Sequence, residues 1–204
     1  MKRTARFILL AFAMMWVQAA VLVSAQEGKI VPYVPTPQEV VDRMLDMAAV
    51  RFDDFVIDLG SGDGRTVIMA AKRGARAHGI EYNPDMVELS KQNAAKAGVS
   101  ERATFAKQDL FESDFSKASV ITMFLLPQIN LKLRPKILDL KPGTRIVSNS
   151  FTMGEWREDG SASLDGECIN WCTALLWIVP AKVAGTWKLA QGELTLQQSY
   201  QFIT

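Results

Sequence analysis

The segment that most narrows the possible folds is Asp58-Leu59-Gly60-Ser61-Gly62-Asp63-Gly64-Arg65, in which glycines occupy alternate positions directly after the apolar run Phe55-Val56-Ile57. Glycine adopts positive φ without steric cost and lets a ligand or a second backbone approach where a Cβ would block it. Beyond the turn, Thr66 to Lys72 reads as a helix. A buried strand, a sharp glycine turn and a helix open an α/β unit, and such units hold ligands at the carboxyl ends of their strands.

The same alternation continues downstream. The pattern predicts strands at 55–59, 76–81, 104–107, 119–124 and 144–151. Between them it predicts helices at 66–72, closed by Gly74, at 83–97, capped by Asn83-Pro84 and closed by Gly98, and at 130–138. Lys141-Pro142-Gly143 reads as a turn. Strands and helices alternating at this spacing imply a parallel, doubly wound sheet. Upstream, Pro32-Tyr33-Val34-Pro35-Thr36-Pro37 must be extended, because each proline disfavours helix in the residue before it. A helix is expected next, with Thr36 as N-cap, Pro37 in the first position and Glu39 completing a capping box. Val40, Val41, Met44, Leu45 and Ala48 form its apolar stripe. After Phe151 the alternation stops: a polar loop over 154–166 precedes expected antiparallel strands at 173–179, 186–189 and 192–202. In the last of these, Leu194, Leu196, Gln198, Tyr200 and Phe202 share a face at period two. The fold class is therefore α/β: a Rossmann-like, doubly wound, mostly parallel sheet with antiparallel C-terminal strands. The core spans 30–152, and an antiparallel β extension over 153–204 completes the domain.

The N-terminus has a different character. Lys2, Arg3 and Arg6 precede an uncharged apolar run over residues 7–23, followed by Ser24-Ala25 and a polar boundary. This describes a secretory signal peptide over 1–25, cleaved after Ala25. The run also approaches the roughly 20 apolar residues of a spanning helix, so an uncleaved anchor that associates with the membrane through 7–23 is the alternative. Either version places the following domain outside the cytoplasm, in the periplasmic sense.

Composition excludes several chemistries. Lys+Arg 23 against Asp+Glu 22 leaves no basic footprint for nucleic acid, so no nucleic-acid partner is expected. One histidine, His78, and two cysteines, Cys168 and Cys172, are too few for a zinc site, and no metal is expected. His78 falls inside a predicted strand and reads as a hydrogen-bonded structural residue. The cysteines could form a disulfide, although thiols in an apolar stretch are more often simply packed. Trp156, Trp171, Trp177 and Trp187 concentrate in the last third of the chain, where core packing is favoured over an acceptor surface.

Acidic residues give the glycine loop its chemistry. Gly60, Gly62 and Gly64 are spaced more tightly than in a dinucleotide fold, and Asp58 and Asp63 beside them would repel a pyrophosphate. They would attract the ammonium and sulfonium of S-adenosyl-L-methionine. Glu81 ends the second strand, where a carboxylate takes ribose hydroxyls. Asp109, with Leu110 beside it, follows the third strand and suits the adenine amino group. With Ser61 in the loop, these residues make an S-adenosylmethionine site at the carboxyl ends of consecutive strands.

These motifs resemble the class I methyltransferases. More narrowly, Pro32-Tyr33-Val34-Pro35-Thr36-Pro37, the loop from Asp58 to Arg65, and Phe124-Leu125-Leu126-Pro127 are similar to the small seven-strand lysine methyltransferases related to the ATP-synthase c-subunit enzyme. The resemblance covers roughly 31–151. It implies that Tyr33 and Thr36 fold over the cofactor, with Asp58, Gly60, Glu81 and Asp109 as its principal contacts. It also implies a methyl acceptor that is a protein lysine. A small-molecule acceptor is the alternative, as is an exported, non-catalytic binding module that keeps the fold. Phe124, Leu125, Leu126 and Pro127 are candidates for an apolar acceptor wall, and the lack of an Asn-Pro-Pro-Tyr or Asp-Pro-Pro-Tyr motif there disfavours an amino-nucleobase acceptor.

Overall fold

The computed structural model describes residues 33–204 apart from Asp165 and Glu167. The segment read as a signal peptide or anchor, and Pro32 of the proline-rich stretch, lie outside the described residues. Among the described residues, no helix is long and apolar enough to cross a membrane.

The elements run α1 (Gln38–Met47), β1 (Phe55–Leu59), α2 (Arg65–Lys72), β2 (Arg76–Glu81), α3 (Pro84–Lys96), β3 (Ala103–Lys107), β4 (Val120–Met123), α4 (Pro127–Leu138) and β5 (Arg145–Asn149). After these come β6 (Gly160–Ser163), β7 (Thr173–Ile178), β8 (Gly185–Leu189), β9 (Gly192–Leu196), β10 (Gln198–Ser199) and β11 (Phe202–Ile203). Seven strands form one sheet in the order β3-β2-β1-β4-β5-β7-β6. The first five strands are parallel neighbours, and β7 and β6 join antiparallel. The strand order reverses between β1 and β4, which in a doubly wound sheet opens a crevice at the carboxyl ends of these two strands.

Period-two side-chain alternation divides the core into two layers. Val56, Val120, Val147 and Ala174 face α1, α2 and α3, whose buried residues include Val40, Leu45, Val67, Ala70 and Val87. Ile57, Leu59, Ile121, Met123, Ile146 and Trp177 face α4 and the neighbouring loops through Leu133, Ile137, Phe115 and Trp156. Deep burial of continuous apolar strands is what a parallel sheet covered on both faces requires. At the amino end of β1, buried Asp54 pairs with Arg145 and accepts a 2.7 Å hydrogen bond from Ser119, tying the loops beneath β1, β4 and β5.

Four expectations are corrected. Pro37, not Thr36, is the N-cap of α1, and no side-chain cap forms; Thr36 is buried instead, and its carbonyl accepts a 2.8 Å bond from the Arg65 guanidinium. The span 154–166 is not a plain polar loop: it holds β6, the outermost strand, and fully buried Trp156, whose carbonyl accepts from Trp177 Nε1 at 2.8 Å. Residues 192–202 do not form one strand. β8 and β9 make a separate hairpin, and positive φ at Tyr200 turns the chain so that β10 and β11 pair with each other. Gln198 fixes this break with side-chain bonds to Val183, Ala181 and Tyr200 backbone atoms. Cys168 and Cys172, favoured as packed thiols, form a disulfide.

Candidate active site

Asp58 lies next to the carboxyl end of β1 on the face shared with Val56, and parallel register sets it beside Thr122 of β4. Thr122 Oγ1 donates to its carboxylate at 2.6 Å. Burial pushes the Asp58 carboxyl up to about 7; the Thr122 hydrogen bond opposes this, while the charges of Glu81 and Asp63 reinforce it. This is a buried acid with no cationic side chain bonded to it among the described residues, an environment that a bound cation would relieve.

The glycine turn leaves β1 with Gly60 N–H and Ser61 N–H both donating to the Ile80 carbonyl of β2. Gly60, Gly62 and Gly64 all have positive φ. A Cβ on Gly62 would collide with the Tyr33 ring, and one on Gly60 with the Leu125 side chain. Tyr33 and Leu125 therefore pack directly against the glycine turn. From below, α3 supports the turn: Ser90 Oγ donates to the Gly62 carbonyl at 3.0 Å and Asn93 Nδ2 to the Asp63 carbonyl at 3.0 Å.

Glu81 ends β2 facing this turn. One carboxylate oxygen accepts from Gly62 N–H and the other from Asn83 N–H, each at 2.9 Å. The carboxylate is thereby oriented, with lone pairs remaining for hydroxyl donors. Asp109 follows β3 and is exposed, its carboxylate accepting from Phe111 N–H at 2.8 Å. The end of β3 is bound to β2 by the Gln108 N–H donating to the Glu81 carbonyl at 2.9 Å. Leu110 is half-buried against the second core layer.

The structure thus gathers Tyr33, Asp58, the 60–64 turn and Glu81, with Asp109 one strand further along the same edge. Two residues take positions the sequence did not suggest. Asp63 does not present a free charge: its carboxylate accepts from Arg65 Nε and a terminal guanidinium nitrogen at 3.0 and 2.7 Å. Burial works to raise its pKa, but the Arg65 bonds and charge more than offset this and leave it below the usual range. The Ser61 side chain is buried against Gly79 beneath the turn, so its part is packing. Thr122, Ser90 and Asn93 escape a reading of the sequence alone. A threonine inside the apolar run Val120-Ile121-Met123, in register with Asp58, was the available signal for the first. A serine and an asparagine three residues apart on one helix face were the signal for the others.

Residues 58–160 match the family described as the ANTKMT methyltransferase domain. The chain is 50% identical over 129 residues to a protein-lysine N-methyltransferase of Saccharolobus islandicus, covering 62% of this chain and 80% of that protein. It is 36% identical over 129 residues to the human ATP synthase c-subunit lysine N-methyltransferase, a match covering 63% of this chain and 55% of the human enzyme. The structure aligns with that of an RNA methyltransferase from Salinibacter ruber in complex with S-adenosyl-L-homocysteine, at TM-score 0.69 and 47% identity, over 74% of this chain and 96% of that one. The chain belongs to the ANTKMT methyltransferase domain family and is an S-adenosylmethionine-dependent methyltransferase.

Proposed function

We propose that this chain is a protein-lysine N-methyltransferase whose cofactor lies across the carboxyl ends of β1, β2 and β3. In this reading Asp58 answers the positive charge of the methionine moiety, Glu81 takes the ribose hydroxyls and Asp109 the adenine amino group. Gly60 and Gly62 admit the cofactor's close approach, with Tyr33 and Thr36 closing over it, while Gly64 makes room for Phe105 and Ser90. The residues fit the group: the turn leaves no room for a Cβ at Gly60 or Gly62 beneath Leu125 and Tyr33, and a buried carboxyl lacks a cationic partner among the described residues. When bound, S-adenosylmethionine supplies a methyl carbon on sulfonium; transfer to an amine nitrogen leaves the neutral thioether and releases one proton from the new ammonium.

The observation that carries the lysine reading is the apolar edge beside the glycine turn. Leu125 abuts Gly60, and Phe124 stacks on Phe151 with ring centroids 5.7 Å apart. A lysine must be neutral to act as nucleophile, which from its ordinary pKa costs roughly 4–5 kcal/mol at pH 7. An apolar wall lowers that cost by disfavouring the ammonium. The 50% identity to an archaeal protein-lysine enzyme supports the same reading. The Salinibacter protein is named for RNA as its substrate, but the near-zero net charge of this chain lacks the footprint RNA binding needs.

Export or membrane anchoring through residues 1–25 belongs to the same proposal. The Cys168–Cys172 disulfide supports it, since disulfides persist in oxidising compartments. An N-terminal sequence beginning at Gln26 in the mature protein would support cleavage.

The test is incubation of the purified chain with methyl-labelled S-adenosylmethionine and either poly-L-lysine or total RNA, followed by hydrolysis and identification of the labelled product. Methyllysine, lost in Glu81→Ala, is the expected result. Label in RNA bases would replace lysine by RNA. Cofactor binding without transfer to either would favour a small-molecule acceptor or a silent binding module.

A further inference from the structure

Four tryptophans lie in the C-terminal third, and they have separated into different roles. Trp156 and Trp177 are fully buried and pack against each other. Trp187 is exposed on the β8–β9 hairpin. Trp171 is 42% exposed, yet it meets Phe124 edge-on with ring centroids 5.8 Å apart, and Phe124 stacks on Phe151.

Topology places these rings on the active-site edge. Phe124 directly follows β4, and Phe151 lies two residues beyond β5. Because β7 runs antiparallel to β5, the start of β7 lies at the same edge: Ser150 N–H donates to the Thr173 carbonyl at 2.7 Å. Trp171 precedes that strand. The three rings therefore lie at the same sheet edge as Leu125, which itself rests on Gly60.

Trp171 is an improbable residue to find there unaided. Its φ of 53° lies in the left-handed region, which a bulky side chain adopts only when its surroundings impose it. The Cys168–Cys172 disulfide closes the short loop that contains it, with the two Cα atoms 5.8 Å apart. This loop also lies beyond residues 58–160, the stretch that matches the family.

We infer that Trp171, held by the Cys168–Cys172 disulfide, forms with Phe124 and Phe151 the aromatic seat for the alkyl stem of the acceptor lysine. The inference rests on the lysine reading above and adds the residue that selects the acceptor. Aromatic faces shield the stem's methylenes from water while the amine nitrogen at its end reaches the cofactor edge. The disulfide serves as a positioning device: opened, it frees Trp171 to leave the left-handed conformation and withdraw from Phe124.

The test is steady-state methyl transfer to poly-L-lysine by wild type, Trp171→Ala, Trp171→Phe and Cys168→Ser/Cys172→Ser, each with and without a phosphine reductant, alongside calorimetric binding of S-adenosylhomocysteine. Trp171→Ala is expected to raise KM for poly-L-lysine about five- to tenfold with kcat little changed, as loss of stem burial predicts. Trp171→Phe should recover most of this, and S-adenosylhomocysteine affinity should be unmoved. The reductant should raise KM in wild type to a similar degree and leave both Trp171→Ala and the double serine variant unaffected. An unchanged KM in Trp171→Ala overturns the seat while leaving the lysine reading standing. Loss of S-adenosylhomocysteine affinity in that variant also overturns it, by making Trp171 a cofactor-side or structural residue. A reductant effect of equal size in Trp171→Ala overturns the role of the disulfide. A wild-type chain that transfers no methyl to lysine overturns the seat and the lysine reading together.

Discussion

Thr122 on β4 donates a 2.6 Å hydrogen bond to Asp58 on β1, its register partner in the parallel ladder. The pair sits at the point where strand order reverses, so the same ladder that builds the sheet also aims a buried carboxyl at the crevice. The hydrogen bond favours the charged form, but burial outweighs it and holds the acid near neutrality at about 7.

That balance predicts a pH-dependent stability of definite sign. An acid whose folded pKa lies above its ordinary 3.8 binds more protons in the folded state, so its contribution is whole below about pH 4 and falls as pH rises to about 7. Asp58→Asn removes the ionising group and still accepts from Thr122. Without cofactor the variant should match wild type near pH 4 and exceed its stability by roughly 2–4 kcal/mol at pH 8, while S-adenosylmethionine affinity collapses. Urea unfolding across this range checks it; a stability difference that does not vary with pH would show that Asp58 is not the titrating group.

Cofactor affinity should follow the same titration. A cation beside Asp58 favours its ionised form, so S-adenosylmethionine should bind up to about tenfold more tightly per pH unit between pH 5.5 and 7, and level off above. Calorimetry at pH 6 in buffers of different ionisation enthalpy should reveal proton release on binding. Proton uptake, or none, would contradict the assignment.

Gly62→Ala combines two costs. The residue would hold positive φ, and its Cβ would meet the Tyr33 ring. A loss of about 1–3 kcal/mol in stability and a larger loss in cofactor affinity are expected. Adding Tyr33→Ala should restore part of the stability, because it removes the collision but not the backbone strain. Thermal unfolding of the single and double variants separates the two.

Glu81→Gln keeps the shape of the side chain but turns one acceptor into a donor. That amide would face either Gly62 N–H or Asn83 N–H, each now bonded at 2.9 Å. S-adenosylhomocysteine affinity should fall about ten- to hundredfold, as expected for losing bonds to a charged acceptor. An affinity within twofold of wild type would remove Glu81 from the site.

Asp54→Ala tests the opposite end of the sheet. Asp54 is 4% exposed and pairs with Arg145, which would be left without that partner. A destabilisation of about 3–5 kcal/mol is expected, with S-adenosylhomocysteine affinity of the folded fraction unchanged. Denaturant midpoints and calorimetry report the two independently.

Much of the site was legible because its signals are local. Glycines at alternate positions after an apolar run specify a turn through positive φ, and Asp58, Glu81 and Asp109 follow from where each strand must end. β1 and β2 run over the residues their apolar patterns mark, and α3 is capped by the Asn83 side chain as its sequence indicates. Other features had no local signature. Asp63 and Arg65 are two residues apart, and their spacing did not reveal that the guanidinium would neutralise the carboxylate while also holding Thr36. β6 was invisible because its Gly160-Ser161-Ala162-Ser163 sequence has little strand preference; pairing with β7 creates it.

The sequence by itself determined the order of strands and helices, the glycine turn and the acids that follow each strand, because backbone freedom and side-chain periodicity act over a few residues. Tertiary structure decided what those groups meet. It set Thr122 against Asp58 across 64 positions, brought Trp171 from beyond the stretch that matches the family onto Phe124, and closed the disulfide that holds it there. Contacts of that kind depend on strand register and on which edge of the sheet a returning strand reaches, and these are properties of the packed chain as a whole.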